Sequence, residues 1–173
     1  MASSSEFKDM PSWALASTLD GLCDADWAGC SETRRSHTGW MVRAAGATMA
    51  WVSRRQENIT MSTTEAEIVA LSDLGNELAW WRLLASDFGH AIVKPIILKC
   101  DNSSTVKLSK HSGNFAATKH IQLKHLKIRE RTAAGEVEVQ WIPAEEQTAD
   151  ILTKNAAVKH FRRLASLMLG CVV

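Results

Sequence analysis

The sequence has no tyrosine, only three prolines, and no pair of cysteines at CxxC spacing. Each absence excludes something. No apolar run reaches the roughly 18–20 residues needed to span a bilayer, so no membrane partner is expected. The first residues, MASSSEFKDMPSWALAS, have neither a positive n-region nor an apolar core, so they do not form a secretory signal. Cys23, Cys30, Cys100 and Cys171 match no zinc-ligand spacing and read as scattered core or surface thiols of a reducing compartment. The expected location is intracellular, cytoplasmic or nuclear, and not secreted. With no tyrosine, most of the aromatic bulk is expected from Trp40, Trp51, Trp80, Trp81 and Trp141.

What is present fits one soluble domain: 46% of the 173 residues are hydrophobic and 23% charged. The net charge of +1 conceals an asymmetry. Residues 1–33 carry six acids against the single base Lys8. Residues 107–131 carry seven bases against the single acid Glu130, a pattern that fits either a polyanionic partner or a solvated helix face.

Residues 1–17 are rich in Ser and Ala, lack a period, and read as a tail or linker remnant. LDGLCDADW reads as a first strand, and CSETRRSHTG as a polar loop. GWMVRAA and TMAWVSRR flank Gly46 as an antiparallel hairpin. MSTTEAEIVALSDLGNELAWWRLLASDFG is the strongest helix. Ser62 and Glu65 form a capping box, Ala66, Ala70, Leu74, Leu78, Trp81 and Leu84 recur at helical spacing, and Gly89 closes it. KPIILKCDN is a short buried strand, and SSTVKLSKHS a short helix or turn. TKHIQLKHLKIRERTAAG is a helix with Ile121, His125 or Leu126, and Ile128 on one face. EVEVQWIPA alternates as a half-buried strand, EEQTADILTK starts a further helix, and AVKHFRRLASLML is amphipathic. The order β-β-β-α-β-α-α-β-α predicts an α/β domain over 18–155. Its mixed five-stranded sheet, three antiparallel strands then two parallel ones, is flanked by helices, and a C-terminal amphipathic helix follows over 156–173.

Four acids stand where open α/β sheets place their sites, at strand ends and helix starts. Asp24 is near the end of the first strand, and Asp101 ends IILKCD. Glu67 shares the apolar stripe of Leu71, Leu74 and Leu78, and Asp150 follows QWIPAEEQTA. A carboxylate on a core-facing stripe is costly unless paired or metal-bound. Converging carboxylates suit hard cations such as Mg²⁺ or Mn²⁺, and two such ions serve phosphodiester cleavage. Each acid also fits a plainer role. Asp24 suits a turn, Glu67 the positive end of a helix dipole, and Asp101 and Asp150 the cap of a following helix.

Six blocks occur in series: DADWAG…RRSHTGWMV, AWVSRRQ, STTEAEIVALS, CDNSSTVKL, TKHIQLKHLKIRE and IPAEEQTADILTK. From about Leu19 to the C-terminus the chain resembles the ribonuclease H domain of copia-type (Pseudoviridae) retrotransposon Pol polyproteins. The resemblance implies the ribonuclease H fold and cleavage of the RNA strand of RNA–DNA hybrids during reverse transcription. It implies two bound Mg²⁺ (or Mn²⁺) ions and a cytoplasmic virus-like particle or the nucleus as the setting. A reverse transcriptase domain absent from this chain is the implied partner. The family's metal-binding carboxylates fall on Asp24, Glu67, Asp101 and Asp150. Leu22 and Ile68 stand where the family usually has aromatics, and the HID block reads His120-Ile121-Gln122. IPAEEQTAD lacks the histidine that cellular ribonucleases H carry there, leaving His120 and His125 as substitutes or as helix-surface residues.

Hybrid recognition works through phosphates and 2′-hydroxyls. The candidate contacts are Arg34, Arg35, Arg54, Arg55, Asn102, Lys119 and His120, and a solvated surface is the plainer role for the basic ones. Asp26 is expected to support Asp24, paired with Arg34 or Arg35. The alternative function is a catalytically inactive or co-opted nucleic-acid-binding fragment. An integrase-like core would use Asp101 and Glu136. It puts Glu136 on a strand rather than a helix and leaves Glu67 and Asp150 unexplained.

Overall fold

The computed structural model describes residues 19–92, 94–110 and 119–170. The tail predicted over 1–17 and Cys171 lie outside them. Five strands form one sheet in the order β3-β2-β1-β4-β5. They are β1 (Leu19–Asp26), β2 (His37–Ala44), β3 (Ala47–Arg55), β4 (Ile96–Cys100) and β5 (Val137–Trp141). β1, β2 and β3 pair antiparallel, whereas β4 pairs parallel with both β1 and β5. The mixed sheet expected from the element order is therefore present. The β2–β3 hairpin turns through Ala45 and Gly46, both at positive φ (51° and 82°). A two-residue type I′ connection requires this.

The helices are α1 (Thr63–Asp87), α2 (Ser103–Lys110), α3 (Lys119–Ala133) and α4 (Val158–Leu169). Helix α1 starts where the sequence indicates. Ser62 Oγ accepts from the Glu65 amide at 3.2 Å, and Glu65 Oε2 accepts from the Met61 amide at 2.7 Å. The reciprocal bond thus reaches one residue further back than in the usual capping box. Ala66 and Ala70 are small enough to let α1 approach the sheet closely, while Leu71, Leu74 and Leu78 fill the space behind them. Gly21 on β1 completes the fit: a Cβ there would stand 2.9 Å from both Leu74 methyl carbons. Removing a side chain as buried as Leu74 costs about 2–5 kcal/mol.

Strand alternation assigns the two faces of β1 to different layers. Leu19, Cys23 and Ala25 join the main core with Trp40, Val42, Leu98, Val139 and the stripe of α1. Leu22 points the other way, into a smaller core with Met41, Ile142 and Ala149, edged by Leu152 and Met168. The first face packs against α1, and the second meets α4 and the segment after β5.

One expectation needs correction. EEQTADILTK does not begin an α-helix; it forms two short 3₁₀ turns, Ala144–Glu146 and Thr148–Leu152. Close contact with β2 accompanies this tight winding. A Cβ on Gly39 would lie 2.7 Å from both Leu152 Cβ and Thr153 Cγ2, so the segment presses on bare backbone. The aromatic bulk that the tryptophans supply lies mostly outside the core. Trp40 is buried and Trp81 partly so, but Trp51, Trp80 and Trp141 are more than half exposed. Aliphatic side chains do the filling.

Candidate metal centre

The chain runs parallel in β1 and β4, so their carboxyl ends lie side by side. β1 places Asp24 there, and the residue after β4 places Asp101. Helix α1 crosses the same end with its first turns, where the stripe that buries Leu71 and Leu74 also carries Glu67. One oxygen from each of Asp24, Glu67 and Asp101 lies within 4.8 Å of the other two. Asp24 and Glu67 are 1% and 4% exposed, values at which a lone carboxylate is expensive.

Protein groups meet only part of that cost. The Ala25 amide donates to Glu67 Oε1 at 3.2 Å, and the Cys100 thiol approaches Glu67 Oε2 at 3.8 Å. Thr153 Oγ1 donates to Asp24 Oδ2. Burial, then the charges around Cys100, Asp24 and Asp101, push the Glu67 carboxyl well above its ordinary value. Asp101 is raised by burial and by Asp24. Three converging carboxylates, two of them raised, form a donor set suited to a hard divalent cation.

Asp150 joins this group indirectly. It sits in the second 3₁₀ turn, and its carboxylate is linked to Asp24 through Lys154. Lys154 Nζ donates to Asp150 Oδ1 at 2.7 Å and to Asp24 Oδ1 at 3.2 Å. Burial raises Asp150, opposed by the bond from Lys154. Burial alone would lower Lys154, but the charges of Asp24 and Asp150 outweigh it and hold the ammonium above its ordinary value. The sequence reading did not single out Lys154 or Thr153. Asp150 and Lys154 are four apart, a spacing that flags an ion pair.

Other residues set the rim. Asn102 Oδ1 accepts from the Thr105 amide at 3.0 Å and so caps α2, the role considered for Asp101. Asp26 forms no ion pair with Arg34 or Arg35 among the described residues. Its carboxylate lies over Gly29 instead: a Cβ there would come within 1.9 Å of Asp26 Oδ2. Arg34 and Arg35 are exposed on the loop between β1 and β2, with Arg34 at φ 55°.

A second, smaller cleft opens between the end of β3 and α3, lined in part by Arg54, Arg55, Gln56, Asp73, His120 and Lys124. Asp73 bridges Arg54 at 2.6 Å and Lys124 at 3.0 Å. Lys119 and His120 are exposed at the start of α3. His125, not Leu126, occupies the inner face of α3, with its Nε2 2.9 Å from the Leu108 carbonyl oxygen. Its burial between α3 and α2 accounts for its place on that face.

No protein-family model matches the chain. Curated proteins do. It is 37% identical over 137 residues to the "Retrovirus-related Pol polyprotein from transposon TNT 1-94" of Nicotiana tabacum, a match that takes in 79% of this chain and 10% of that one. The chain is a relative of retrotransposon Pol polyproteins. A second such polyprotein, from transposon RE1 of Arabidopsis thaliana, is 29% identical over 149 residues, covering 86% of this chain and 10% of its own length. The chain therefore spans about a tenth of the length of the curated relatives it matches. Among solved structures, LC11-RNase H1 isolated from compost superposes with a TM-score of 0.61 at 16% identity, over 79% of this chain and 92% of that one. The same protein in complex with an RNA/DNA hybrid gives a TM-score of 0.58 at 14% identity, over 78% and 93%. The fold is that of ribonuclease H, as the sequence blocks imply.

Proposed function

We propose that the chain is the ribonuclease H of a retrotransposon Pol polyprotein, hydrolysing the RNA strand of RNA–DNA hybrids with two divalent cations. The observation that carries this reading is the convergence of Asp24, Glu67 and Asp101 oxygens within 4.8 Å at the carboxyl ends of two parallel strands. Asp24, Glu67 and Asp101 would hold one Mg²⁺ or Mn²⁺; Asp24 and Asp150, freed from Lys154, would hold the other. Such ions supply charge neutralisation at the scissile phosphate and lower the pKa of a water.

The protein's own contribution is positioning. β1 and α1 hold Asp24 and Glu67 buried and fixed, and Thr153 and the Ala25 amide orient their carboxylates. Arg54, Arg55 and His120 line the cleft between β3 and α3, Lys119 precedes His120 in the chain, and these four would meet phosphates of a hybrid. Arg34 and Arg35 would do so from their loop, and Asn102 from the rim, beside Asp101. A reverse transcriptase is the proposed partner in placing the hybrid.

The test is a labelled RNA–DNA hybrid incubated with the chain in Mg²⁺ or Mn²⁺. RNA-strand cleavage that Asp101→Asn abolishes is the expected result. No cleavage in either metal, or equal cleavage by the variant, overturns the proposal. One observation favours a second reading, an inactive nucleic-acid-binding fragment: Lys154 already pairs with both Asp24 and Asp150. That reading predicts hybrid binding that weakens with salt but ignores both metal and Asp101→Asn.

A further inference from the structure

Behind the oxygen cluster lies a second group of ligand atoms. Cys23 and Cys100 sit at adjacent positions of the parallel strands β1 and β4, one residue beyond the Leu22–Lys99 pair. Both side chains are fully buried, and both turn toward α1. The two sulfurs and a Glu67 oxygen lie within 4.8 Å of one another. Each cysteine immediately precedes a carboxylate of the outer cluster, Asp24 or Asp101, so Glu67 faces sulfur on one side and oxygen on the other.

We propose that Cys23, Cys100 and Glu67 form a site for one thiophilic divalent cation of the zinc and cadmium class, sharing Glu67 with the hard-cation cluster. Two thiolates select soft and borderline metals over magnesium. A tetrahedral site with bonds of about 2.3 Å to sulfur and about 2.0–2.2 Å to oxygen separates its ligand atoms by roughly 3.5–3.8 Å. The Cys100–Glu67 separation is already 3.8 Å, and the other two pairs need to close by no more than about 1 Å to reach that geometry. The route in is the open cleft lined by Asp24, Glu67 and Asp101, with the ion passing Glu67 to reach the sulfurs. On binding, each thiol releases its proton to solvent as its sulfur takes the ion, and Glu67 binds as the carboxylate. The three ligands leave the fourth tetrahedral position to water. An ion held here withdraws Glu67 from the outer cluster, so thiophilic metals oppose magnesium binding.

The experiment does not rest on the ribonuclease reading, because it measures metal in the full, substrate-free chain. Cys30 and Cys171 are first changed to Ser, leaving Cys23 and Cys100 as the two thiols. This chain is titrated with Cd²⁺ while the ultraviolet thiolate-to-cadmium charge-transfer band is followed. The expected result is a band that saturates at one ion per chain. Glu67→Gln in the same background should weaken Cd²⁺ binding about tenfold or more, a loss at least on the scale of removing an outer-shell partner. Millimolar Mg²⁺ should raise the Cd²⁺ concentration needed for half-saturation. No band in the two-thiol chain overturns the site. A band indifferent to both Glu67→Gln and Mg²⁺ overturns the shared ligand.

Discussion

Strand β1 carries Asp20 near one end and Asp24 near the other, on the same face, and the two surroundings are opposite in sign. Asp20 lies between Arg43, at 2.9 and 2.5 Å, and Lys99, at 2.7 Å. Burial alone would raise its carboxyl, but those two cations more than offset it, and the group sits below its ordinary value. Four residues on, Asp24 meets Glu67 and Asp101, with Asp150 nearby and Lys154 as the one ammonium bonded to it among the described residues. There Glu67, Asp101 and Asp150 are all raised, in each case chiefly by burial. The first end is a finished electrostatic structure. The second is short of positive charge, the shortage that the proposed cations would fill.

The sharpest way to break this comparison is to remove the acids or the metal from the second end. Chelating divalent ions, or Asp24→Asn, should lower hybrid cleavage by about 10³-fold or more in a single-turnover assay. Stability separates the two ends next. Asp20→Asn leaves Arg43 and Lys99 partly buried without their partner and should destabilise the chain by about 1–3 kcal/mol in urea unfolding. Asp101→Asn removes a mutual repulsion and should stabilise the metal-free chain by about 1 kcal/mol, the usual cost of function read in reverse. If both substitutions shift the midpoint the same way, the contrast is wrong.

The ends should also differ in pH. Asp20 has a lowered folded value, so its contribution is complete above the unfolded value of 3.8 and is lost as pH falls through the folded one. Glu67 has a raised folded value, so its ionisation is a penalty at neutral pH. That penalty lifts as pH falls through the raised value and is gone below the ordinary 4.5. Metal-free thermal stability should therefore rise from pH 7 toward mildly acidic pH, then fall below about pH 4. Saturating Mg²⁺ should flatten the rise. The smallest effect concerns Lys154. Lys154→Met removes a competing cation from Asp24 and Asp150, and calorimetry should show Mg²⁺ binding several-fold tighter, by about 1 kcal/mol. Unchanged affinity would mean that Lys154 moves aside without cost.

Local signals carried much of this. Ser62 and Glu65 marked the start of α1, Gly46 marked the hairpin, and the spacing of Leu71, Leu74 and Leu78 put Glu67 on a buried stripe, because each depends on neighbours a few residues away. The six sequence blocks pointed to four carboxylates, of which Asp24, Glu67 and Asp101 converge within 4.8 Å. The end of β5 onward was less legible. The acid-led, amphipathic run around Asp150 reads as a helix, yet contact with the bare backbone at Gly39 accompanies a 3₁₀ segment. Nothing in the spacing of the tryptophans says that Trp51 and Trp141 lie exposed, on the outer edge strands β3 and β5.

The sequence by itself determined most of the elements and the mixed sheet, since periodicity, caps and turn residues act within one turn or one strand, and the resemblance named the candidate acids. Only the tertiary structure decided which acids meet, that Lys154 bridges two of them, and that Cys23 and Cys100 lie against Glu67. Those pairings depend on β1 and β4 running parallel, side by side, beneath the first turns of α1. Residues far apart in the chain become ligands of one site only when a sheet brings their strand ends together, and no local spacing records that.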